Sequence, residues 1–237
     1  MPQLDMRRVR VIGFDADDTL WHNELIFRDA ETEIAELLSA YEVEYVVKRE
    51  MYAIEMANLE AYGYGIKGFT LSMLELVGRL TGGAASAKTY DAVIAIGKRM
   101  LAEPVRPLPG VREAVEALRA RGHRLIVITK GDLLDQERKL ERSGLAELFH
   151  HVEVVSKKTA ADYARVLRRL DLAPEHFLMI GNSLKSDVLP LLELGAQAVH
   201  IPYAVTWAHE TAEPEAHHDY LELTSIEELV GALEEEE

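Results

Sequence analysis

The stretch VIGFDADDTLWHN, Val11 to Asn23, decides how the rest of the chain is read. An apolar run ends in Asp15, Asp17 and Asp18, three aspartates within four positions. Like charges that close repel, and unpaired carboxylates at the end of a buried strand are costly. A solvated acidic turn would be the simplest account. A clustered positive partner is the alternative, and the remaining sequence decides between them.

Working outward, other β-branched runs end in polar residues: RLIVIT (Arg124–Thr129), HVEVV (His151–Val155), FLMIG (Phe177–Gly181) and AVHIP (Ala198–Pro202). Helical patterns lie between them, such as AADYARVLRRLDL and DLLDQERKLERSGL, the second closed by Gly144. Alternating strands and helices with near-continuous apolar strands predict an α/β fold, a Rossmann-like parallel sheet covered on both faces. Ligands in such sheets bind at the carboxyl ends of the strands.

The first strand is followed by a long stretch of helical periodicity, ETEIAELLSAY, VKREMYAIEMANLEAYGY, FTLSMLELVGRL and YDAVIAIGKRML. It is too long for one crossover. It predicts an all-helical insertion over 21–103, with the core formed by 1–20 and 104–237. Tyr52, Met56, Leu71 and Leu74 read as its core positions, and PVRPLPG (Pro104–Gly110) as a stiff return linker.

In a parallel sheet the strand exits share one edge. That edge then collects Asp15 and Asp17 from the first strand, Thr129 and Lys130 from the second, and Lys157 and Lys158 from the third. The fourth adds Asn182, Ser183 and Asp187. Carboxylates and an amide oxygen gathered beside lysines suit a hard cation, with Mg²⁺ as the expected ion. Asn182 and Ser183 also fit a helix N-cap.

On these residues the chain resembles the haloacid dehalogenase superfamily, most of whose members are phosphatases. Asp15-Ala16-Asp17-Asp18-Thr19 is similar to its DxDxT motif, Thr129 to its strand-ending hydroxyl, the lysine of VSKKTAADYARVL to its third motif and IGNSLKSD to its fourth. The resemblance implies that Asp15 is the nucleophile forming an aspartyl-phosphate, and Asp17 the general acid and base. It implies that Thr129 binds a phosphoryl oxygen and that Lys158, with Lys157 as the alternative, neutralises charge. Asp15, Asp17, Asn182 and Asp187 are the implied metal site. The family's fourth motif usually opens with Asp, so Asn182 supplies one negative charge fewer. Lys130, Lys157 and Trp21 are candidates for substrate contact, with Trp21 at the pocket mouth. The resemblance implies strand order 5-4-1-2-3 in the core, and the insertion corresponds to a helical cap of the C1 type, hinged near Trp21–Glu24 and Pro104–Gly110. An acid at position 17 favours phosphoester hydrolysis over dehalogenation, because an alkoxide leaving group needs a proton. A phosphomutase and a catalytically silent phosphometabolite-binding protein are the alternatives.

The bulk numbers narrow the partners. A formal net charge of −15 disfavours nucleic acid. No run approaches the ~18 apolar residues of a membrane helix. MPQLDMRRVR has no apolar stretch resembling an export signal, so cytoplasm is expected. The absence of cysteine excludes disulfides and thiolate metal sites. The nine histidines, including those of HIPYAVTWAHE and AHHD, lack helical metal-ligand spacing and read as surface residues; EEEE at the end reads as a frayed tail. A small phosphorylated metabolite is the expected partner, with the chain a monomer or homodimer.

Overall fold

The computed structural model describes residues 4–205, 207–210 and 220–234; the AHHD segment and the last three residues of the acidic tail lie outside them. The chain divides into two compact units. One comprises Met1–Glu24, Val105–Lys130 and Arg138–Glu237; the other comprises Leu25–Pro104 and Gly131–Glu137. The stretch Gly131–Glu137 therefore groups with the helical unit, whereas the sequence reading left it with the core.

The first unit is built on six parallel strands: β1 Val11–Phe14, β2 Arg124–Lys130, β3 His151–Val155, β4 Phe177–Gly181, β5 Gln197–His200 and β6 Leu221–Glu222. Their order is β3-β2-β1-β4-β5-β6. This is the expected order extended by β6, which at two residues is too short to carry a periodic signal.

Successive side chains of a strand point to opposite faces. Ile12, Phe14, Leu125, Val127, Leu178 and Ile180 enter one core with Val111, Val115 and Leu118 of α5 (Val111–Ala120) and Leu229 and Leu233 of α9 (Leu229–Glu234). Val11, Ile126, Ile128, Phe177 and Met179 enter the other with Tyr163, Val166 and Leu167 of α7 (Ala160–Arg169). Because both faces are covered, the strands read as continuous apolar runs. Gly13 serves this packing directly, since a Cβ there would lie 2.5 Å from Phe177 Cζ.

The second unit holds α1 (Glu24–Leu37) beyond its first residue, α2 (Glu44–Tyr62), α3 (Ile66–Leu80) and α4 (Ala87–Ala102). Its core uses Ile34, Met51, Ile54, Met73, Leu76, Val93 and Ile96. Here the sequence expectation needs correcting: Tyr52 and Leu71 are exposed, and Met56 and Leu74 are only partly buried. These helices carry apolar residues on more than one face, so periodicity alone left the buried stripe ambiguous by a residue or two. Among the described residues no helix is long and apolar enough to cross a membrane.

Candidate active site

Sheet register brings the predicted residues to one edge. Phe14 is level with Val127 and Ile180, so Asp15, Thr129 and Asn182 all lie within two residues of that level. The Asp15 amide still donates to the Ile180 carbonyl, at 2.9 Å, which fixes its backbone.

Lys158 lies three residues past Val155, the β3 partner of Lys130. It immediately precedes a capping box. Thr159 Oγ1 accepts from the Asp162 amide, and Asp162 Oδ2 accepts from the Thr159 amide. That box sets where α7 begins and thereby aims Lys158 inward, while Lys157 is exposed. The T-x-x-D spacing of Thr159 and Asp162 was available in the sequence and separates the two lysines.

The Lys158 ammonium donates to Asp15 Oδ1 and, at 2.6 Å, to Asp187 Oδ1. Asp187 is fully buried; it also accepts from the Tyr163 hydroxyl at 3.4 Å and the Ser183 amide at 3.1 Å. It sits in a π-helical turn, Leu184–Val188, opened by Ser183, whose hydroxyl accepts from the Ser186 amide. Thus Ser183 provides the local cap that the sequence also allowed for Asn182. Gly181 matters here, because a Cβ on it would overlap the Asp187 carboxylate.

Burial, and then the nearby Asp187 charge, push the Asp15 carboxyl up to about 7 in spite of Lys158. For Lys158, burial opposes the charge, but Asp15 and Asp187 hold it above the ordinary lysine range. Two buried carboxylates share one ammonium, which leaves an excess of negative charge.

Asn182 Oδ1 accepts from Thr19 Oγ1 at 3.2 Å, and its carbonyl accepts from His200 Nε2 at 3.1 Å. His200 is buried, against the expectation of surface histidines, because it ties β5 to this loop. Among the described residues no three acidic, His or Cys side chains converge on a metal position. The donors available are all oxygen: the Asp15 carboxylate, the Asn182 amide and main-chain carbonyls. An oxygen donor set with uncompensated negative charge fits Mg²⁺, which keeps several waters and needs few protein carboxylates.

The three aspartates of the opening motif have separate surroundings. Asp17 Oδ1 accepts from Trp21 Nε1 at 2.8 Å and from Lys139 Nζ at 3.0 Å. Asp18, at φ 61°, accepts from the amides of Asn23 and Glu24 and so closes the turn that opens α1. Burial pushes its carboxyl up to about 7, with those two amides working the other way. Thr129 is buried at the end of β2.

Two expected substrate contacts are placed differently. Trp21 is 1% exposed within the core cluster, because its ring packs inward and only its N–H serves the site, through Asp17. Lys130 is ion-paired with Glu210 and donates to Ser186 Oγ at 3.0 Å. Glu210 also accepts from the hydroxyls of Ser183 and Ser186. Burial raises the Glu210 carboxyl, but Lys130 and the hydroxyls outweigh it and hold the group down at about 2. Lys139 and Glu210 were missed by the sequence reading. Their partners are 122 and 80 residues away, and no local spacing announces them.

A sequence profile described as haloacid dehalogenase-like hydrolase matches residues 9–195. The glyceraldehyde 3-phosphate phosphatase of Pyrococcus furiosus is 26% identical over 98% of this chain and 95% of its own. A haloacid dehalogenase-like hydrolase from Xanthomonas campestris superposes with a TM-score of 0.86 at 40% identity, covering 96% of this chain and 91% of that one. The magnesium-bound HAD-hydrolase YfnB of Bacillus subtilis shares the fold, with a TM-score of 0.65 at 21% identity over 95% of this chain and 99% of that one.

Proposed function

This chain belongs to the haloacid dehalogenase-like hydrolases, and from that premise we propose that it is a phosphomonoester hydrolase working through a phosphorylated Asp15. The observation that carries the reading is the buried Asp15–Lys158–Asp187 arrangement at the end of β1, with Asp17 two residues on.

In the first step an Asp15 carboxylate oxygen attacks phosphorus, and the bond to the ester oxygen breaks. Asp17 gives its proton to that leaving oxygen. In the second step Asp17 takes a proton from water as the water oxygen attacks phosphorus, and Asp15 is released. Thr129 would donate to a phosphoryl oxygen, and Lys158 would balance charge on Asp15 and the transferred group. Asp15, the Asp17 carbonyl and Asn182 would hold Mg²⁺, which when bound supplies further positive charge against the phosphoryl oxygens. Asp187 would support this set from behind, through Lys158 and the Ser183 amide.

Glyceraldehyde 3-phosphate is the first substrate to test, because a relative aligned over 98% of this chain is named for it. Phosphate release would be followed from glyceraldehyde 3-phosphate and from 4-nitrophenyl phosphate, with wild type and Asp15→Asn, each with and without Mg²⁺. Release that requires both Asp15 and Mg²⁺ is the expected result. Release that survives Asp15→Asn would sink the aspartyl-phosphate mechanism. Binding of the sugar phosphate without release would favour the silent binding protein.

A further inference from the structure

Lys139 lies on α6 (Leu133–Ser143) in a stretch, DQERKLERS, whose charges all suit a solvated helix face. It is nevertheless only 9% exposed. Lysine is rarely buried unless it is paired. Its ammonium donates to Asp17 Oδ1 at 3.0 Å, Asp17 Oδ2 at 3.2 Å and Asn23 Oδ1 at 2.7 Å. Trp21 Nε1 meets the same Oδ1 at 2.8 Å. The Asp17 carboxylate is therefore gripped by an indole and by an ammonium that reaches both of its oxygens.

We propose that Lys139 is a positioning residue that, together with Trp21, holds the Asp17 carboxyl in the orientation from which it exchanges its proton. This rests on the phosphatase reading and gives its acid–base residue a support. In the first step the carboxyl O–H bond of Asp17 breaks as the proton passes to the leaving ester oxygen. In the second, the carboxylate recovers a proton from the attacking water. The Asn23 contact fixes the ammonium, so the side chain of Asp17 is held in one rotamer at both steps. A misaligned acid loses much of its effect even when it is present.

The test uses the leaving group. A poor leaving group needs the proton from Asp17; 4-nitrophenolate departs without it. The quantity compared is kcat/KM, which ends at formation of the phosphorylated Asp15 and excludes its hydrolysis. Lys139→Met is expected to lower kcat/KM about 100-fold for alkyl phosphates, the scale of general acid catalysis, and about threefold or less for 4-nitrophenyl phosphate. Trp21→Phe, which removes the indole N–H together with part of a buried ring, is expected to give the same selective pattern more weakly. It carries the test if Lys139→Met does not fold. An equal loss on both substrate classes would mean a merely structural role and would overturn the proposal, as would no loss. Wild type that hydrolyses neither class would overturn the phosphatase reading, and this proposal with it.

Discussion

The Lys158 ammonium stands between two buried carboxylates, 2.6 Å from Asp187 Oδ1 and in contact with Asp15 Oδ1 on its other side. Nothing else in the opening motif answers its charge so directly. Removing the ammonium leaves both carboxylates unpaired. Lys158→Met is expected to destabilise the protein by about 3 kcal/mol, the scale of a broken buried ion pair. Urea denaturation without metal would measure this, and an unchanged midpoint would show that the pair contributes nothing net.

Gly181 faces Asp187 with no room for a methyl group. Gly181→Ala must shift either β4 or the π-helical turn. Overpacking of this kind costs about 1–3 kcal/mol. The expected signature is a folded protein whose turnover falls about tenfold or more, because a small misplacement of charged groups is amplified at a reacting centre. Retained turnover would mean that Asp187 can move without moving Lys158.

Asn182 replaces a position where the family usually carries Asp. Asn182→Asp adds a negative charge to an all-oxygen donor set. It is expected to lower the Mg²⁺ concentration for half-maximal activity about tenfold, while Asn182→Ala raises it, since ligand charge tunes affinity at such sites. Mg²⁺ titrations of turnover, after treatment with a chelator, distinguish these. Identical titrations for all three proteins would remove Asn182 from the metal site.

Glu210 cross-links the ends of β2 and β4 through Lys130, Ser183 and Ser186. Its carboxyl is held at about 2, below the ordinary 4.5. A depressed carboxyl binds fewer protons in the folded state than in the unfolded state. Its contribution is therefore complete above about pH 4.5 and is lost as pH falls toward 2. Glu210→Gln should cost on the order of 3 kcal/mol at neutral pH, and the difference from wild type should close over that acidic window. Denaturation midpoints of the two proteins from pH 7 to pH 2.5 check the sign. A gap that widens on acidification would contradict it.

Much of this arrangement was legible in the residues. Val11–Phe14, Ile126–Ile128 and Phe177–Ile180 read as apolar runs because the sheet buries both faces, and their polar ends therefore had to share an edge. Asp15, Thr129, Asn182 and Asp187 were placed on it that way, as was Lys158 with Lys157 as its alternative. Trp21 was expected at a pocket mouth and is buried, because an aromatic beside an acidic turn suits a pocket wall and a core position equally; only packing distinguishes them. Tyr52 and Leu71 were misread because their helices offer more than one apolar stripe.

By itself, the sequence determined the α/β class and the shared edge on which the acids and lysines lie. These follow from local period and chain order, which any stretch carries within itself. Tertiary structure alone decided that Asp17 answers to Lys139 across 122 residues, that Lys130 answers to Glu210 across 80, and that His200 is drawn inward to the Asn182 carbonyl. A charge in a helix or loop looks the same whether it meets water or a distant carboxylate. What separates the two cases is desolvation at the closed sheet edge, where an unpaired charge is too costly to remain and each one must find a partner.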